Sequence, residues 1–137
     1  MFFKNKENEM NQNFIKIAAL LIHAAKIDQD YSKNEEKIII QALLEIGINQ
    51  ENIDQIISEG KKIESNSNQI LDFTKEVKKM DNDKKIKIVE TLWRIIYSNK
   101  EADMYETSLM RRLAGLLYID SKVMADIKEK IIREIKL

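Results

Sequence analysis

A short acidic helix-start motif is written twice in this chain, 71 residues apart (28 to 99, 35 to 106). Asp28-Gln29-Asp30-Tyr31-Ser32-Lys33-Asn34-Glu35 is echoed by Asn99-Lys100-Glu101-Ala102-Asp103-Met104-Tyr105-Glu106. The flanks keep the same register. Leu21-Ile22-His23-Ala24-Ala25 lies over Leu92-Trp93-Arg94-Ile95-Ile96, Ile38-Ile39 over Leu109-Met110, Ala42 over Leu113, Ile46 over Leu117 and Ile48 over Ile119. Each half therefore encodes an apolar helix, an acidic turn, a capped second helix and a second turn.

Nothing in the composition opposes helices. There is no proline, the only glycines are Gly47, Gly60 and Gly115, and no segment sustains the period-two alternation of a strand. The apolar spacing predicts a nearly all-apolar helix over 11–27 and a second from Lys33 to Ile46. Ser32 and Glu35 form a capping box at its start, and Gly47 is its stop. Asn49 or Asn52 is the expected cap of a third helix, with Ile53, Ile56, Ile57 and Ile63 inside. Ser65-Asn66-Ser67-Asn68 reads as the clearest loop. Further helices bury Ile70, Phe73, Val77 and Met80; then Ile86, Val89, Leu92, Trp93 and Ile96; then, after Asp103, Leu109, Met110, Leu113, Leu116 and Leu117. A last one buries Val123, Ile127, Ile131 and Ile135. The expected fold is all-α: one bundle of six to seven helices (11–137) with an internal pseudo-two-fold repeat, preceded by residues 1–10 as a loose segment or short helix.

Several classes of chemistry are excluded at once. With no cysteine there is no disulfide, zinc–thiolate site or thiol nucleophile, and three scattered glycines cannot build a phosphate loop. Twenty-three basic and 23 acidic residues cancel, so no net field draws the chain to nucleic acid or anionic lipid. Met1-Phe2-Phe3 runs straight into Lys4, Lys6 and Glu7, so no secretory core forms. The longest apolar run, Ile17 to Ala25, is far short of the roughly 20 residues of a membrane span. A cytoplasmic location is the expectation.

The chain resembles the TerB-like family, named for a tellurite-resistance protein, over residues 14–130. Two motifs carry the likeness. One is Ala25-Lys26-Ile27-Asp28-Gln29-Asp30-Tyr31-Ser32 followed by Glu35-Glu36. The other is Glu90-Thr91-Leu92-Trp93-Arg94-Ile95-Ile96-Tyr97 followed by Glu101, Asp103, Glu106 and Arg111-Arg112-Leu113-Ala114. The Leu92-Trp93 core pair looks most like the family's uncharacterised branch. The resemblance implies an all-helical bundle with pseudo-two-fold symmetry, clustered carboxylates that bind metal, and a role in stress response or protein assembly rather than catalysis. Where the family pattern has Asp-Gly in its turns, this chain has Asp28-Gln29 and Asn99-Lys100.

The residues themselves allow two readings of the acidic turns. As caps, Ser32 with Glu35 and Asp103 with Glu106 place negative charge where a helix dipole favours it by about 0.3–1 kcal/mol. As ligands, Asp28, Asp30 and Glu35 offer hard oxygens suited to a weak Ca²⁺ or Mg²⁺ site, with Glu101 and Glu106 contributing from the second half if the turns meet. No other cofactor is expected. An EF-hand is excluded, because Lys33 replaces the loop glycine and Ile39 the twelfth-position glutamate. His23 stands without a second histidine or nucleophile, and Trp93 reads as core. Arg111-Arg112 reads as one solvated arginine and one paired with a carboxylate such as Glu106, or else as part of a partner surface. The lysines at 75, 78, 79, 84, 85 and 87 lack interleaved aromatics, so they read as a solvated face rather than a nucleic-acid interface. The expected function is a non-enzymatic module that binds a partner protein, or a second copy of itself, with no nucleic acid and no membrane span. The alternative is a small metal-dependent enzyme using the clustered carboxylates.

Overall fold

The apolar run Ile17–Ala25 dictates the centre of the molecule. In the computed structural model, which describes residues 2–27, 33–66, 70–99 and 104–136, it forms the second half of helix α1 (Phe2–Ala25). Ala18, Ala19, Leu20, Leu21, Ile22, Ala24 and Ala25 are all essentially inaccessible there. A helix apolar on nearly every side must be surrounded, and α1 is. Its main neighbour is α3 (Ile53–Asn66), followed by α4 (Leu71–Lys78), α2 (Lys33–Glu45) and α5 (Asn82–Ile96). Gly60 of α3 sits against α1 so closely that a Cβ there would come within 3.1 Å of the Ala18 Cβ.

Helices α6 (Met104–Leu116) and α7 (Ser121–Lys136) complete the bundle, α7 packing chiefly on α5. Among the described residues there are two short 3₁₀ turns, Gln50–Asn52 and Tyr97–Asn99, and no strand. One continuous core links Ile39 and Leu43 of α2, Ile56 of α3, Phe73 and Val77 of α4, Leu92 and Ile96 of α5, Leu113 of α6 and Ile131 of α7 with α1. Asp81 caps α5, its Oδ1 accepting from the Lys84 amide at 3.0 Å.

The helix bounds recur at the sequence period. α2 and α6 begin and end 71 residues apart (33 to 104, 45 to 116), as do the ends of α1 and α5 (25 to 96). The stops recur as well. Gly47 takes φ +114°, the Ile48 amide donates to Leu43 O at 3.1 Å and the Gly47 amide to Leu44 O at 3.2 Å. Tyr118 takes φ +56°, the Ile119 amide donates to Ala114 O at 2.9 Å and the Tyr118 amide to Gly115 O at 3.3 Å. Both are the Schellman pattern, which satisfies carbonyls that a helix end would otherwise leave open.

Four local expectations are corrected. The first helix starts at Phe2, not near residue 11, since neither proline nor glycine interrupts that stretch. Of the two expected caps of α3, Asn49 precedes the 3₁₀ turn and its side chain makes no capping bond, whereas Asn52 stands immediately before α3. Ser65 and Asn66 of the expected loop belong to α3, while Ser67 and Asn68 lie outside the described residues. On α7 the buried positions are Met124, Ile127 and Ile131, whereas Val123 and Ile135 are exposed. The amphipathic face is turned from the one read off the isoleucine spacing, with Met124 rather than Val123 on the inside.

Candidate functional site

The acidic turn is framed by two helix ends. Asp28 and Asp30, like Glu101 of the second half, lie outside the described residues. Glu35 is described, and it is 2 % exposed in the first turn of α2. A carboxylate so enclosed needs partners, and it has them. Glu106 is the third residue of α6 as Glu35 is the third of α2, although its side chain lies outside the described part. Among the described residues no three His, Asp or Glu side chains converge in a way that could hold a metal ion.

Beside the turn, the end of α1 is clamped to α3. Lys26 Nζ donates to Glu64 Oε2 at 2.6 Å, and His23 Nδ1 lies 3.3 Å from Glu64 Oε1. Glu64 is buried, so this is a carboxylate held by two partners at the end of α1. The second half has a matching device. Arg94, the counterpart of His23, donates through Nη2 to Glu134 Oε2 of α7 at 2.6 Å and also faces Glu90. That hydrogen bond holds the Glu134 carboxyl below its usual range. The partner of His23 lies 41 residues away in sequence, beyond the reach of local patterning.

Two of the concave regions elsewhere bear on function. The first is a cleft of about 550 Å³ between α2 and α5, where Lys37, Gln41 and Glu45 face Lys87, Thr91 and Arg94. Most of its polar groups are already committed. Lys87 pairs with Glu45, Gln41 Nε2 donates to Glu45 Oε1 at 3.1 Å, and Thr91 Oγ1 donates to Lys87 O at 2.8 Å within α5. The Lys87 hydrogen bond, seconded by Gln41, holds the Glu45 carboxyl below the ordinary carboxylate range. Lys79 pairs with Glu76, Lys85 donates to Leu117 O at 3.2 Å, and Lys78 sits 4.0 Å from the Tyr118 ring centroid. These members of the 75–87 lysine run tie helices and turns together.

The second is a groove of about 430 Å³ along the α6–α7 junction, with Met110, Ala114, Ile119, Met124 and Ala125 as its apolar surface. Trp93 of α5 forms part of its wall and is only 4 % exposed. Its Nε1–H is buried and has no hydrogen-bond partner among the described residues. A buried donor left unmatched costs about 1–3 kcal/mol. The ring stacks on Tyr97, centroids 6.0 Å apart, and Lys128 Nζ lies 5.6 Å from the Trp93 centroid.

The model of the family "Tellurite resistance protein TerB" matches residues 14–129. The chain belongs to the TerB family. The matched span begins inside α1, takes in both acidic turns, and ends inside α7. TerB is an all-helical fold, as the seven α-helices among the described residues are. No curated protein and no solved structure matches the chain. No helix is long and apolar enough to cross a membrane among the described residues.

Proposed function

We propose that this TerB-type chain is a non-catalytic binding module that holds a partner protein in a stress response of the tellurite-resistance kind. In this reading its two halves are copies of one hairpin unit, each presenting carboxylates at the head of its second helix. The observation that carries the non-catalytic reading is the chemistry of the α2–α5 cleft. Its one carboxylate, Glu45, is kept ionised by Lys87 and Gln41, and Arg94 is engaged by Glu134. A general acid or base needs a pKa near working pH, and the Glu45 carboxyl is held below the ordinary carboxylate range. No comparable observation favours the metal-dependent enzyme.

Cation binding belongs to the same proposal. Glu35 places one carboxylate at the positive end of α2, directly after the turn that carries Asp28 and Asp30. A weak Ca²⁺ or Mg²⁺ site there would relieve repulsion among the three. Calorimetric titration of metal-free protein is expected to show binding with a Kd of about 10⁻⁵–10⁻³ M, abolished by Asp28→Ala with Asp30→Ala. Flat traces for both ions at physiological salt remove the cation. The module itself is tested by affinity capture from native cells: a reproducible partner is expected, and none at all refutes it.

A further inference from the structure

The α6–α7 groove presents an open apolar surface, and we infer that it is the docking site for an acidic amphipathic helix of a partner protein. The inference rests on the module reading above and says where and what such a module binds. Shape comes first. The groove follows α6 from Met110 to Gly115 and α7 from Ser121 to Lys128, about two turns of helix. That length accepts the side chains a docked helix presents at i, i+3, i+4 and i+7. Gly115 leaves open space where a Cβ would stand, and Ala114 and Ala125 are small, so a partner backbone can come close. Met110 and Met124 adapt to the side chains they meet.

Charge and hydrogen bonding then choose the occupant. Arg111 and Lys128 flank the groove and no carboxylate lines it. Neither cation has an ion-pair partner among the described residues, although this chain pairs many of its other cations. The complementary ligand carries acidic residues along the edges of its apolar stripe. The second, independent sign is the buried Trp93 Nε1–H, which has a donor's demand and no acceptor. A small tilt of the ring toward the groove would bring that N–H to a glutamate or aspartate oxygen entering under Lys128, while the ammonium over the ring neutralises the charge.

Trp93 is the chain's only tryptophan, so its emission reports on the groove alone. The intact protein is titrated with a synthetic peptide of about 18 residues, leucine at i, i+3, i+4 and i+7 and glutamate on the flanks, long enough to be helical when docked. Its lysine-flanked twin and decanoate are titrated in parallel. A saturable emission change is expected with the glutamate peptide, at least tenfold weaker with the lysine twin. Gly115→Glu, which fills the groove without opposing helix α6, should weaken binding at least tenfold while the melting temperature does not fall. Arg111→Glu with Lys128→Glu should reverse the preference between the twins. No emission change, equal binding of both peptides, or indifference to Gly115→Glu overturns the inference. Decanoate binding as tightly as the peptide overturns the helical occupant in favour of a small lipid carboxylate. A cellular partner still captured by Gly115→Glu would refute the groove and leave the module intact, whereas no partner for the unaltered chain refutes the module first.

Discussion

Gly60→Ala and Gly115→Ala make the same chemical change in two helices whose surroundings differ. In a helix interior alanine is favoured over glycine by about 1 kcal/mol. At Gly115 nothing lies within 4 Å of the added methyl, so the gain is realised in full. The melting temperature should then rise by roughly 3–5 °C for a domain of this size. At Gly60 the methyl would meet the Ala18 Cβ at 3.1 Å, the Ile22 Cδ1 at 3.3 Å and the Ala19 backbone nitrogen at 3.4 Å. Ile22 can swing its terminal methyl aside, but Ala18 and the Ala19 backbone have no rotamer to change, so α1 and α3 must part. Overpacking of this kind costs about 1–3 kcal/mol. The propensity gain offsets part of it, leaving Gly60→Ala neutral to about 2 kcal/mol less stable, and the two variants about 1–3 kcal/mol apart. Urea unfolding at equilibrium measures both, read as a shift of midpoint at constant slope. Equal stabilisation by the two substitutions would refute the close approach of α1 and α3, and destabilisation by Gly115→Ala would refute the open face of α6.

Two further outcomes follow from the turns and the cleft. Gly47→Ala places a Cβ on a residue at φ +114° and should cost about 1–2 kcal/mol, seen as a lower melting temperature by circular dichroism. The Glu45 carboxyl titrates lower folded than unfolded, so its contribution is complete above about pH 4.3 and is lost as pH falls through the folded value. Because the pair with Lys87 is solvent-exposed, that contribution is below about 1 kcal/mol. Glu45→Gln should therefore reduce the loss of stability between pH 7 and pH 3 by no more than this, in paired urea titrations.

What could be read in advance was what is decided locally. The start of α2 at Lys33 and its stop at Gly47 follow from residues within a few positions of each other, and both stand. The burial of Trp93 and the apolar centre of α1 follow from hydrophobicity alone. What failed depends on neighbours distant in sequence. The face of α7 could not be fixed by spacing, because Val123 and Met124 are adjacent and apolar and only the approach of α5 chooses between them. The 3₁₀ turn before α3 leaves no side-chain signature, so the sequence does not choose between Asn49 and Asn52 as the residue before that helix. Likewise the Glu64 clamp joins residues 38 and 41 positions apart, and the groove exists only because α7 covers α6 incompletely. The acidic turns were the most visible feature, yet of their ligand candidates only Glu35 has a described side chain.

The two helix stops share one geometry but not one energy. Glycine enters left-handed backbone without penalty, whereas Tyr118 does so against its own Cβ, a strain of roughly 1–2 kcal/mol, while Lys78 sits over its ring. The exit from α2 is thus relaxed and the exit from α6 is sprung. The molecule carries this strain one residue from Ile119 in the wall of the α6–α7 groove.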